Sequence, residues 1–142
     1  MLPQFYEGGG YYVYGTPASG AGQYAHPRMM TFLLRLAHDW SVTERRKFGV
    51  GNISLAGGGV FRPHHSHRSG LEADFRPVRK DGLQRAVSRA SNEYDQDATK
   101  RLVELMWGTN MVRTIYFNDR AIDGVRRLGG HDNHLHVSLI GA

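Results

Sequence analysis

Two short segments hold six of the eight histidines of this 142-residue chain. The first runs His64-His65-Ser66-His67-Arg68-Ser69-Gly70-Leu71-Glu72-Ala73-Asp74, the second Gly130-His131-Asp132-Asn133-His134-Leu135-His136-Val137. The chain has no cysteine. A thiol nucleophile, a Cys-based zinc finger, an iron–sulfur cluster and a disulfide scaffold are therefore excluded, and a metal has only His, Asp and Glu to hold it. If the second segment is a strand, His134 and His136 share one face while Leu135 and Val137 turn to the core. Two imidazoles on a sheet edge are half a metal site. In the first segment His67 precedes a turn at Gly70, and Asp74 enters the following strand. A loop ligand and a strand ligand converge when that strand lies beside the last one. Two imidazoles and one carboxylate leave a fourth tetrahedral position to water, as in a catalytic rather than a closed structural zinc site.

If His67, Asp74 and His136 bind the metal, His134 is left beside it as a candidate general base and acid. Zinc brings its water to a pKa of about 7, within reach of a neutral imidazole. His64 and His131 would then orient ligands, contact substrate or steady an anionic intermediate. The plain alternative is a solvated histidine-rich loop and an ordinary strand. Either segment alone is compatible with it; both together, with an aspartate at strand spacing, argue against it. His65 cannot easily face the same site as its neighbour His64 and reads as surface. Glu72 shares a strand face with Asp74, either supporting the site or carrying a surface charge. Arg68 and Arg76 read as surface or substrate-facing.

The elements that must position these residues are legible in outline. Met29, Met30, Leu33, Leu34, Ala37 and Trp40 recur at helical spacing, predicting an amphipathic helix from His26 to Trp40 with Pro27 near its start. The stripe is core packing, and His38 on it is a packing or surface residue. Glu44-Arg45-Arg46-Lys47 reads as a solvated loop. Phe48–Leu55 and Leu71–Val78 read as strands, separated by the flexible Gly57-Gly58-Gly59, which no helix follows closely enough to make a phosphate loop. Asp97 caps a predicted helix through Trp107, with Leu102, Leu105 and Met106 inward and Gly108 as its stop. Met111–Phe117 and His134–Ile140 are the last strands, with a turn at Asn118-Asp119. The expectation is one α+β domain over residues 1–142 with a small, mainly antiparallel sheet, residues 1–28 forming a tethered arm and 29–142 the core.

Composition narrows the partners. With 40% hydrophobic and 22% charged residues the chain reads as globular, not as disordered, collagenous or coiled-coil. No apolar run approaches the roughly 20 residues of a membrane span. A net charge of +5 favours an anionic partner. Nucleic acid is disfavoured, because the basic residues are scattered and no aromatic platform interleaves with them. Met1 to Gly10 has neither a basic n-region nor an apolar h-region, so an exported role implies a removed leader or delivery by another route.

The pattern His67-x-x-Gly70-x-x-x-Asp74, preceded by Ser66 and completed by His134-x-His136, resembles the zinc peptidases that cut bacterial peptidoglycan cross-links. This superfamily comprises lysostaphin-type enzymes, D-Ala-D-Ala metallopeptidases and hedgehog-like domains. The chain is most similar to the penicillin-insensitive murein endopeptidases through Gly49-Val50-Gly51-Asn52-Ile53-Ser54-Leu55, Pro63-His64-x-Ser66-His67, Phe117-Asn118-Asp119 and Gly130 to Val137. The likeness spans roughly Tyr14 to Leu139. It implies zinc held by His67, Asp74 and His136, His134 as catalytic base, and His64 and His131 as further active-site histidines. It also implies the superfamily's fold, action in the periplasm or cell wall, and hydrolysis of the D-Ala–meso-diaminopimelate amide of cross-linked stem peptides. Glu72 stands where the carboxypeptidase branch has Ala, which favours the endopeptidases. Alternatives within reach of the same ligands are a D-Ala-D-Ala carboxypeptidase, an L,D-peptidase and a non-catalytic zinc-containing cell-wall binding module.

Overall fold

Residues of period 2 and period 3.6 sort the chain into a sheet with helices on one face. The computed structural model describes residues 1–5 and 7–142. Among these, the elements follow as β1 (Tyr11–Val13), α1 (Pro27–Thr43), β2 (Phe48–Val50), β3 (Glu72–Phe75), α2 (Gln96–Gly108), β4 (Val112–Tyr116) and β5 (Leu135–Leu139). The fold is α+β, and its strands form one mixed sheet in the order β1-β2-β3-β5-β4. Three of its four pairs are antiparallel; β1 and β2 are parallel. The parallel pair has a topological reason, since α1 is the crossover between its two strands. Residues 1–28, expected as an arm, thus supply an edge strand, and Leu2 is fully buried. Nothing in their own periodicity announces this, because β1 is held by its neighbour: Phe48 N–H donates to Gly10 O and Tyr14 N–H to Val50 O, both at 2.9 Å.

One sheet face makes the core. Ala73 and Phe75 of β3 and Leu135, Val137 and Leu139 of β5 are buried in a single cluster with α1 and α2. Phe32 of α1 packs edge-on against Phe75, and Trp40 edge-on against Phe48, each at 6.3 Å between ring centroids. Burial of such side chains contributes roughly 1.5–3 kcal/mol each. This contact also decides which stripe of α1 faces inward. Phe32 and Leu36 are buried, whereas Leu34, expected inside, is 38% exposed. No membrane-crossing helix occurs among the described residues.

Local boundaries differ from expectation for identifiable reasons. Asp95, not Asp97, caps α2 by accepting from Ala98 N–H at 2.9 Å; Asp97 lies in the first turn, where its charge suits the helix dipole. Gly108 is helical, and the left-handed residue after the helix is Asn110. The run from Phe48 is a regular strand only to Val50. Gly51 N–H still donates to Asp74 O at 2.7 Å, but Ile53 N–H turns to Gly22 O, so the chain leaves the sheet beside the histidines.

The expected solvated loop at 44–47 is partly a half-buried clamp. Arg46 donates to Glu44 at 2.6 Å and to Asp95 at 2.7 Å, and Trp40 Nε1 donates to Arg46 O at 2.6 Å. The hydrogen bond from Arg46 holds the Glu44 carboxyl down to about 2, against an ordinary 4.5. A carboxylate depressed in the folded state stabilises above its unfolded pKa, and that contribution fades as pH falls toward the folded value. Arg46→Ala is expected to lower stability by about 1–3 kcal/mol at neutral pH. Its denaturant midpoint should also depend less on pH between 4.5 and 2 than that of the parent chain.

Candidate active site

The sheet face opposite the helices carries the polar residues. Alternation along β3 and just past it puts Glu72, Asp74 and Arg76 on one side. Pairing with β5 sets Asp74 opposite His136 and Glu72 opposite Ser138, while Tyr116 of β4 pairs with His136 from beyond. The loop before β3 adds His64 and His67, and the loop before β5 adds His131 and His134. All six residues singled out by spacing, His64, His67, Asp74, His131, His134 and His136, line one cleft of about 670 Å³. Exposed His65 stands on its wall. Arg68 instead borders a separate cavity near Tyr24 and Ser54. His38 is exposed on α1, and His26 caps that helix.

Asp74 is the centre of the cluster. His136 Nδ1 lies 3.0 Å and His67 Nε2 3.3 Å from its Oδ1, and His64 Nδ1 lies 3.8 Å from its Oδ2. Burial opposes the Asp74 carboxylate, but hydrogen bonds from His136 and His67 outweigh it and hold the carboxyl well below its usual range. His67 is 2% exposed and has φ 51°, in the left-handed region. A non-glycine there costs of order 1 kcal/mol. Two contacts hold it: its Nδ1 meets Ile53 O at 2.9 Å, and its N–H donates to Glu72 Oε2 at 2.8 Å. Gly70, at φ 72°, permits the turn that follows, since a Cβ there would come within 2.6 Å of His26 N.

Hydrogen bonding assigns the ring nitrogens their roles. A carbonyl only accepts, so His67 Nδ1 carries a proton, and Nε2 is the ring atom left to face the Asp74 carboxylate. An imidazole nitrogen and a carboxylate oxygen at that separation can share a metal ion. His64 is different. Asn52 Oδ1 accepts from Thr16 N–H at 2.7 Å, which orients the amide so that its Nδ2 donates to His64 Nε2, also at 2.7 Å. The proton of His64 is then on Nδ1, which faces Asp74 Oδ2 from 3.8 Å, outside hydrogen-bond distance. His64, His67 and Asp74 nevertheless bring one ligand atom each within 4.8 Å of one another, close enough to hold a metal ion.

His136 sits between two carboxylates, its Nε2 being 3.5 Å from Glu72 Oε1. Burial disfavours its charged form, yet bonding to Asp74 and Glu72 prevails and raises it to about 9. The hydrogen bond from His136 in turn holds Glu72 down to about 2. Half-buried, Glu72 gathers His67 N–H, His136 Nε2 and Ser138 Oγ, as a carboxylate does that orients a metal-binding imidazole. The donor set of two imidazoles and a carboxylate suits a divalent ion of zinc type.

His134 precedes β5 and is half-buried, and desolvation lowers its pKa, so the ring is neutral at neutral pH. Its Nδ1 meets Asn133 Oδ1 at 2.9 Å, leaving Nε2 as a free lone pair. His131 stacks beside it at 4.6 Å between centroids, its Nδ1 bound to Gly129 O. Spacing assigns no role to Asn52, Tyr116 or Ser138: strand pairing brings in Tyr116 and Ser138, and the contacts of the Asn52 amide with Thr16 and His64 bring in Asn52.

Comparison with known proteins gives one family. A family model described as penicillin-insensitive murein endopeptidase matches residues 6–106. This span contains His64, His67, Glu72, Asp74 and Arg76, while His131, His134 and His136 lie beyond it. No curated protein matches the chain.

Proposed function

Because the chain belongs to the family of penicillin-insensitive murein endopeptidases, we propose that it is a zinc peptidase that hydrolyses the D-Ala–meso-diaminopimelate amide of peptidoglycan cross-links. In this reading it has the D-Ala-D-Ala metallopeptidase type of fold and acts in the periplasm or cell wall, and His67, Asp74 and His136 hold the ion. The observation that carries the reading is the convergence of His67 Nε2 and His136 Nδ1 on one oxygen of Asp74. Zinc bound there would supply a Lewis acid for the scissile carbonyl and acidify water. His134 accepts the proton of the attacking water at Nε2 and delivers it to the leaving amine nitrogen, so one water is added across the amide. Asn133 holds that ring in the tautomer the step needs. His131, beside His134, and His64, whose Nδ1 proton faces the cluster, are donors for the negative charge that grows on the carbonyl oxygen. Glu72 keeps His67 and His136 in place.

The closeness of His64 to the same carboxylate supports a second ligand set, with His64 replacing His136. The Asn52 bond to its Nε2 disfavours that set. Digestion of purified cross-linked sacculi, with mass analysis of the released muropeptides, tests the function. Dimers joined through D-Ala and diaminopimelate should convert to monomers, conversion should stop on chelation and resume on addition of zinc. Intact dimers with the metal site filled would remove the assignment in favour of a binding module or another peptide bond.

A further inference from the structure

The cleft continues past the metal-binding cluster. Pro63, His64, Asp74 and His134 also line a second lobe of about 460 Å³, whose remaining walls are Tyr14, Arg76, Ala86 and Asn133. Arg76 follows Asp74 by two residues, hence on the same face and about 6.6 Å further along the strand direction. Beside it stand two glycines, Gly49 of β2 and Gly51 just past its end. A Cβ at Gly49 would lie 2.8 Å from the Tyr12 ring, and one at Gly51 would lie 2.6 Å from the Tyr14 ring. The absence of side chains there lets both rings lie over β2 and reach Arg76, whose guanidinium carbon is 4.0 Å from the Tyr14 centroid and 5.9 Å from that of Tyr12.

Stacking of this kind fixes the plane of a guanidinium and leaves its N–H edge for a planar anion. The Arg76 edge is little used. Its hydrogen bond goes to Gln84 O at 3.4 Å, and no carboxylate pairs with it among the described residues. Arg46, by contrast, meets Glu44 at 2.6 Å and Asp95 at 2.7 Å. Asp74, the acid in this lobe, is turned to His67 and His136. A half-buried, stacked and unneutralised cation on the wall of a reaction cleft suits a bidentate carboxylate.

We propose that Arg76, on its tyrosine platform, binds a free carboxylate of the peptide substrate at the residue adjoining the scissile amide. The identity of that peptide rests on the endopeptidase reading. In diaminopimelate the carbon bearing the acylated amine also bears a carboxylate, so the scissile amide and the anion are one carbon apart. That spacing fits a metal cluster and a cation two strand residues apart.

The test uses a cross-linked dimer with this carboxylate free and the same dimer with a carboxamide in its place. Binding is measured by titration calorimetry on zinc-loaded His134→Ala protein, alone and combined with R76Q or R76K. Cleavage is measured with His134 present. The protein with Arg76 should bind the acid roughly 10- to 100-fold more tightly than the amide. R76Q should bring the preference to within about twofold, and R76K, which keeps charge but not the planar fork, should fall between. In cleavage, R76Q should raise KM for the acid with little change in kcat and in bound zinc. Equal binding of acid and amide by the Arg76 protein, no binding of either, or a preference that survives R76Q or R76K undiminished would overturn the proposal. An Arg76-dependent preference in a protein that cleaves neither dimer would uphold the subsite and remove the endopeptidase reading instead.

Discussion

A His67→Asn protein is expected to fold and to bind zinc more than about 100-fold more weakly than the parent chain, exceeding the usual loss for an outer-shell partner. Asparagine is chosen because it tolerates the left-handed backbone that His67 adopts at φ 51°. Alanine would strain that turn and confuse unfolding with metal loss. The physical ground is that His67 Nδ1 is committed to the Ile53 carbonyl, so Nε2 has only the Asp74 side of the cleft to serve. Metal content after dialysis, with circular dichroism to verify folding, checks this. The same measurement separates the two ligand sets. His136→Ala should lose the ion as His67→Asn does, and His64→Ala should weaken it only about 10- to 100-fold. Loss in His64→Ala with retention in His136→Ala would move the third ligand to His64. Full occupancy in His67→Asn would remove the metal centre described here.

The second large effect is expected at His134. His134→Ala should keep its zinc and lose about 10²- to 10⁴-fold in kcat on cross-linked muropeptides, the range for removing a positioned general base. Its neutrality follows from burial, its tautomer from Asn133, and its place from the loop that enters β5. Loss of turnover with retained metal distinguishes a proton-transfer role from ligation. A zinc-replete variant that digested sacculi at the parent rate would leave the cleft without its base, and His131, stacked at 4.6 Å, would be the next residue to replace.

Much of the site could be read before any fold was known because strand alternation is a local rule. Asp74 and Glu72 share a face whatever the strand packs against, and the same rule carries Arg76 with them. The histidine-rich segments likewise announce themselves by residue type. The edge strand β1 could not be read so, since Tyr11 to Val13 has no periodicity of its own and owes its conformation to β2. The inward face of α1 was ambiguous for a related reason. Leu34 fits the helical spacing as well as Phe32 does, and packing against the core face of the sheet, Phe75 included, selects Phe32.

What the sequence determined by itself is the chemistry available: imidazoles and carboxylates with no thiol, clustered near two strands, on a chain able to build a core. The tertiary structure decided which nitrogen does what. Ile53 O commits one nitrogen of His67, Asn52 places the proton of His64 toward Asp74, and Glu72 ties His67 to His136. Each of these contacts joins residues far apart in the chain or in different elements. Hydrogen bonds depend on position within a few tenths of an ångström, which residue spacing along one strand does not specify but the packing of a whole sheet does.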